Sequence, residues 1–241
     1  MRSLLSFLLF GFTVILIGCE THYEAPKYLG TVGGEYETLF REDKIIEESL
    51  FKEDQEVISN EAIERILSSK IILPEKGKLA ILSFADRPRW FYWSEELTQL
   101  NEQIMSEFKT KLKNSKRLEQ VSFIPSMIIS KQMTISQMRA AAARMQSNYL
   151  LVYKTTTRTF EKYKFLGQDE TKAYSTVEAI LMDVRTGTIP YSSIKTETFT
   201  AKKNQKEMEF YETISKAEQQ ATKQALNKIA DELMEFLNSA Q

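Results

Sequence analysis

The chain has 241 residues, 42% of them apolar and 27% charged, with 32 Lys and Arg against 33 Asp and Glu and a net charge of −1. That composition belongs to a folded globular protein, and the length holds one domain with extensions or two small ones. Nucleic acid is excluded as the expected partner, because phosphate binding concentrates Lys and Arg on one face, whereas "KTKLKNSKR" and "TAKKNQK" sit beside acids and read as solvated surface.

The chain opens with "MRSLLSFLLFGFTVILIGCE", in which Arg2 precedes an apolar run from Leu4 to Ile17 that ends at Gly18 and Cys19. A basic residue, an apolar core and a small residue before a cut are the layout of a secretory signal. A membrane-spanning helix is the alternative, but a span prefers about 20 apolar residues and has no use for Gly-Cys at its end. Leu16, Ile17, Gly18 and Cys19 resemble the bacterial lipobox. The resemblance implies that residues 1–18 are a lipoprotein signal and that Cys19 becomes the lipidated mature N-terminus. It also implies a diacylglycerol thioether and usually a third acyl chain, a combination that anchors stably at about 0.8 kcal/mol per buried methylene. Glu20 stands where an aspartate would favour inner-membrane retention, so the expected location is the outer membrane, facing the periplasm. Cys19 is the only cysteine. With Cys19 lipidated, as the resemblance implies, the mature domain has no thiol, and disulfides, thiol catalysis and cysteine metal sites are excluded within one chain.

Residues 19–58 read as the lipidated cysteine followed by a flexible acidic tether. Three of the eight glycines fall between Glu20 and Lys44, and from Glu35 to Glu56 acids outnumber bases nine to three. A solvated acidic linker or weak helix fits this run, and so does a docking segment for a basic partner. A single α/β domain is expected over 59–241, led by a short helix. In "SNEAIERILSS", Ile63, Ile66 and Leu67 recur at helical spacing behind a capping Ser59 or Asn60, which predicts a helix packed on the domain edge.

The body begins at "KLAILSF", Lys78 to Phe84, an unbroken apolar run that suits a central strand covered on both faces. In "SEELTQLNEQIMSEFKTKLKNS", Leu97, Leu100, Ile104, Phe108 and Leu112 form one helical stripe. Ser94 is the expected N-cap, and Glu95 and Glu96 complement the helix dipole. "RLEQVSFIP" reads as a second strand stopped by Pro125. In "TISQMRAAAARMQS", Thr134 and Gln137 fit a capping box, and Ile135, Met138, Ala142 and Met145 form the apolar stripe. "NYLLVYKTTTRTF" and "TKAYSTVEAILMDV" read as strands, and "TIPYSSIKTETF" pairs with the latter in a hairpin turned at Gly187. "YETISKAEQQATKQALNKIADELMEFLNS" is a long closing helix. The order β-α-β-α-β-β-β-α predicts an α/β fold. Its mixed sheet has about five strands, parallel at the start and extended by an antiparallel hairpin, with helices packed on it.

Between the first strand and the first long helix lies "ADRPRWFYWSEE", which gathers Arg87, Arg89, Trp90, Phe91, Tyr92 and Trp93. Trp, Tyr and Arg are enriched at interface hot spots. The segment also leaves the carboxyl end of a parallel strand, where open α/β sheets place their ligand crevice. These six residues are the candidate partner-docking set. Packing over the sheet end, with an arginine stacked on Trp90, accounts for them equally well.

"KLAILSF", "MQSNYLLVYKT" after an alanine-rich helix, and "LMDVRTGTI" resemble envelope lipoproteins of the curli-secretion-factor and penicillin-binding-protein-activator type. They also resemble the amino-terminal domain of the translocation protein TolB. Asp183, Thr186 and Gly187 match the D-x-x-T-G turn of such domains. "FIPSMIISKQMTISQMRAAAARMQSNYLLVY" is similar to the rhombotarget lipoproteins. The resemblance implies an envelope domain and brings no catalytic motif with it.

Catalytic chemistry has little to work with. The only histidine, His22, lies three residues from the anchor, so neither a histidine base nor a His/Cys zinc site is expected. Glu95 with Glu96, and Asp183 with Asp169, remain as carboxylate pairs. Helix neighbours diverge by about 100°, which makes the first pair dipole capping, and Asp183 suits a turn. No phosphate-cradling glycine loop is present. The expectation is a non-catalytic binding or accessory module for another envelope protein, without cofactor or metal. A structural subunit of a secretion assembly and a hydrolase of unknown substrate are the alternatives. A membrane pore would need paired strands of about nine to eleven residues with lipid-facing alternation. The stretch from Arg158 to Thr171 is too short to hold two of them and is charged, as is the region after Phe199, which argues against one.

Overall fold

The computed structural model describes residues 59–68, 74–84, 94–128, 134–162, 168–204 and 210–239. The elements are α1 (Asn60–Ser68), β1 (Gly77–Ser83), α2 (Glu95–Lys113), β2 (Leu118–Phe123), α3 (Ile135–Arg144), β3 (Tyr149–Lys162), β4 (Glu170–Asp183), β5 (Tyr191–Lys202) and α4 (Phe210–Ser239). A single 3₁₀ turn, Ser126–Ile128, separates β2 from α3. The strands form one sheet in the order β2-β1-β3-β4-β5. β1 runs parallel to β2 and to β3, while β3, β4 and β5 are antiparallel in succession.

Both local signals that start the long helices operate as expected. Ser94 Oγ accepts from Leu97 N at 3.4 Å. Thr134 and Gln137 close a reciprocal capping box. The path from β1 through α2 to β2 moves outward, and the path from β2 through α3 to β3 moves back across β1. With one crossover hand, such a reversal puts the two helices on opposite faces. Two cores result. On one face Leu79, Ile81, Leu151, Tyr153, Val177 and Leu181 pack under Phe108 and Leu112 of α2 and Ile229 and Leu233 of α4. On the other, Ala80, Leu82, Leu150, Val152 and Met182 meet Met138, Ala141 and Ala142 of α3.

α2 and α4 lie side by side, joined by Lys111–Asp231 at 2.7 Å, Lys223–Glu107 at 2.7 Å and Lys216–Glu96 at 2.9 Å. Ala217 and Ala221 of α4 are fully buried against Ala173 of β4. The D-x-x-T-G turn after β4 is built as a hydrogen-bonded loop. Asp183 Oδ1 accepts from Thr186 N at 2.7 Å and from Thr186 Oγ1 at 2.9 Å, and Gly187 sits at φ +79°.

One feature differs from expectation, and one pairing runs further than the segment between the strands suggested. α1 forms, but its apolar stripe is not buried: Ile63, Ile66 and Leu67 are 41%, 45% and 75% exposed, so it does not pack on a domain edge. β3 and β4 each run for 14 residues and pair without interruption from Tyr149 opposite Asp183 to Lys162 opposite Glu170. Arg158 to Thr171 therefore spans the end of one strand and the start of the next.

Candidate interaction surface

Face cover is uneven, and the unevenness makes the surface. α4 shields one face of β4 and β5, where odd-numbered side chains point, and leaves β5 alternating between half-buried and exposed along its length. On the opposite face α3 covers only β1, the first residues of β3 and the last of β4. β1 reaches only as far as Tyr153, where Phe84 N donates to the Tyr153 carbonyl at 2.8 Å. Beyond that point the even-numbered side chains of β3, β4 and β5 have no described element above them.

Register defines the rows of this open field. Lys154 stands opposite Glu178, which stands opposite Ile194; next come Thr156, Thr176 and Thr196, then Arg158, Tyr174 and Thr198, then Phe160, Lys172 and Thr200. The last row is Lys162, Glu170 and Lys202. Bases outnumber acids five to two on these rows. Phe160 and Ile194 are 64% and 66% exposed. Phe160 meets the Tyr174 ring edge-on at 5.6 Å, Lys172 Nζ lies 4.8 Å from the centre of that ring, and Thr176 and Thr196 share a 2.8 Å hydrogen bond. Arginine, lysine and aromatic rings on rigid strands supply stacking, cation–π and hydrogen-bonding contacts at small ordering cost.

A second concavity, of about 490 Å³, opens between α2 and the end of β5 with α4 as its floor. Its polar lining is Gln99, Gln103, Gln220, Lys202 and the Glu96–Lys216 ion pair. Amides, the Lys202 ammonium and an ion pair can bind a polar ligand by hydrogen bonding.

The residues singled out from the sequence fare differently. Arg87, Arg89, Trp90, Phe91, Tyr92, Trp93 and Cys19 all lie outside the described residues. Glu95 accepts from Gln99 Nε2 at 3.0 Å and Glu96 pairs with Lys216, so each is separately engaged. Asp183 and Asp169 do not form a carboxylate pair. They flank opposite ends of the 14-residue strand β4, about 45 Å apart at roughly 3.3 Å per residue. β3 and β4 are long enough to cross a membrane, but their open face carries Lys154, Arg158, Lys172 and Glu178 in place of a lipid-facing apolar band.

Among the described residues no group of three His, Cys, Asp or Glu is placed to hold a metal ion, and no helix is long and apolar enough to cross a membrane. The open face has a signal in the sequence. After the solid run "YLLVY", β3 switches at Lys154 to Lys, Thr and Arg on alternate positions, which is where one face loses its cover.

No protein-family model matches the chain. No curated protein matches it either. Similar chain paths occur in solved bacterial proteins, lipoproteins among them. A dodecameric PelC from Paraburkholderia phytofirmans is 17% identical, covering 69% of this chain and 95% of its own, with a TM-score of 0.38. Lipoprotein B of Nitrosomonas europaea is 12% identical over 71% and 94%, with a TM-score of 0.35. A minor lipoprotein of Acinetobacter baumannii is 10% identical over 70% and 94%, with a TM-score of 0.32.

Proposed function

We propose that this protein is a lipid-anchored envelope lipoprotein, cleaved after residue 18, lipidated at Cys19 and held at the outer membrane facing the periplasm. There it acts as a non-catalytic accessory module that binds another envelope protein. The observation that carries the binding role is the open field on β3–β5, where exposed Phe160 and Ile194 stand among bases and threonines on fixed strands. Side chains spent on packing are covered, and these are not. The Arg87–Trp93 segment supplies a second contact surface in this reading, and the domain's resemblance to curli-secretion-factor and penicillin-binding-protein-activator lipoproteins agrees with it. The absence of histidine after His22 supports a role without catalysis.

Anchoring is tested by feeding cells an alkyne fatty acid and following the label. The wild-type chain should carry label and sediment with membranes, and Cys19→Ser should lose both. Label retained by Cys19→Ser would remove the anchor from the account.

A further inference from the structure

We propose that β5 is a self-pairing edge, through which two copies of the chain join antiparallel about a two-fold axis at Thr196 to make one continuous ten-stranded sheet. This goes beyond the partner-binding role and stands independently of it.

The backbone geometry comes first. Lys203 N donates to the Asp169 carbonyl and Asp183 N to the Thr188 carbonyl, both at 2.9 Å. The odd-numbered residues of β5 therefore direct their backbone groups to β4. Alternation turns the even-numbered ones outward: Ser192, Ile194, Thr196, Thr198 and Thr200. None of these outward backbone groups has a partner among the described residues. Soluble proteins blunt such edges with short strands, proline, bulges or charged side chains. The other edge strand, β2, is six residues long, carries Glu119 and is followed closely by Pro125. β5 has 12 residues, no internal proline and a register with β4 free of shifts. From Ser192 to Thr200 its open-face side chains are uncharged, and four of the five are β-branched.

Charge then selects the occupant and the register. Outward groups must meet outward groups, so paired residue numbers sum to an even number. With the axis at Thr196, Lys195 stands opposite Glu197 of the second copy, and the same pair forms twice. Ser192 meets Thr200, Ile194 meets Thr198 and Thr196 meets itself. Moving the axis to residue 195 or 197 sets lysine against lysine or glutamate against glutamate, which directly opposed strands disfavour. Lys195 already pairs with Glu232 and Glu197 with Lys228 on the α4 side. Each new pair therefore extends an alternating network, and no like charges are brought together.

The test is site-specific cross-linking of the full-length chain under a mild copper(II) oxidant, with the wild type controlling for Cys19. In Thr196→Cys the paired Cα atoms lie about 5.5 Å apart, inside the disulfide range. That variant should run mostly as a disulfide dimer. Ser192→Cys and Thr200→Cys each sit about 27 Å from their own copies at roughly 3.4 Å per residue. Each should form no disulfide dimer alone and cross-link when the two are mixed. Thr198→Pro removes an outward N–H, as edge strands tolerate, and leaves the Thr176–Thr196 bond in place. It should keep the wild-type circular dichroism and melt while running as a monomer by light scattering in detergent, where the wild type runs as a dimer. A monomeric Thr196→Cys, equal cross-linking of all three cysteine variants, or a monomeric wild type would overturn the proposal.

Discussion

Replacing Tyr149 with phenylalanine should make the protein more stable, although it removes a polar atom. Tyr149 is 1% exposed and begins β3 beneath the α2–α4 layer. Its hydroxyl finds no hydrogen-bond partner among the described residues. An unpartnered buried hydroxyl costs about 1–3 kcal/mol of desolvation, and Tyr149→Phe should recover about 1 kcal/mol while leaving the ring in place. In a domain of this size that gain raises Tm by about 2–4 °C. Urea titration at pH 7 should show a higher midpoint with unchanged slope. A second signature follows from proton linkage. Burial above all, and then the nearby Asp183 charge, push the Tyr149 hydroxyl from 10.0 up to about 12, with Arg117 pulling the other way. Because the folded state holds this proton more tightly, its contribution is whole below pH 10 and falls away as pH rises from 10 through about 12. Tyr149→Phe should flatten that part of the alkaline limb. A lower urea midpoint in the variant, or an unaltered alkaline loss, would show that the hydroxyl has a partner and that the reasoning fails.

Gly77→Ala should act on the same contact with the opposite sign. A Cβ there would come 2.8 Å from Tyr149 Cε2 and 3.2 Å from Cδ2, and overpacking of this kind costs about 1–3 kcal/mol in thermal or urea unfolding. Thr134→Ala opens the capping box of α3 and should cost about 1 kcal/mol by the same assay. Glu232→Gln should flatten the acid limb of the stability profile. Bonding to Lys195 and then Ser193 holds the Glu232 carboxyl below its ordinary 4.5, so its contribution is present above that pH and is lost as pH falls below it.

Much of the fold was legible because its signals are local. Ser94 and Thr134 announce helices through their own side chains, and the unbroken "KLAILSF" announces a doubly covered strand at β1. The apolar stripe read in α3 is the face it buries, with Ile135, Met138 and Ala142 in the core beneath it. The exposed stripe of α1 was misjudged because periodicity shows that a face is apolar and is silent about what lies against it. β3 was legible almost to its end, although its apolar pattern stops half-way. Its second half is threonine, lysine and arginine, which carry strand propensity without an apolar pattern, and pairing with β4 decides its extent. The open face and the β5 edge follow from where α3 and β1 end. That is a property of assembly and belongs to no single segment.

The central proposal is that the protein acts by contact with an envelope partner. Photo-reactive residues placed at Trp90, Tyr92 and Phe160 in intact cells test it most directly, with Glu119 on the short edge strand β2 as the exposed control. The account predicts one distinct envelope protein captured from the first three positions, absent at Glu119 and lost when Cys19→Ser frees the chain from the membrane. Identical products from all four positions, or none from any of them, would contradict it.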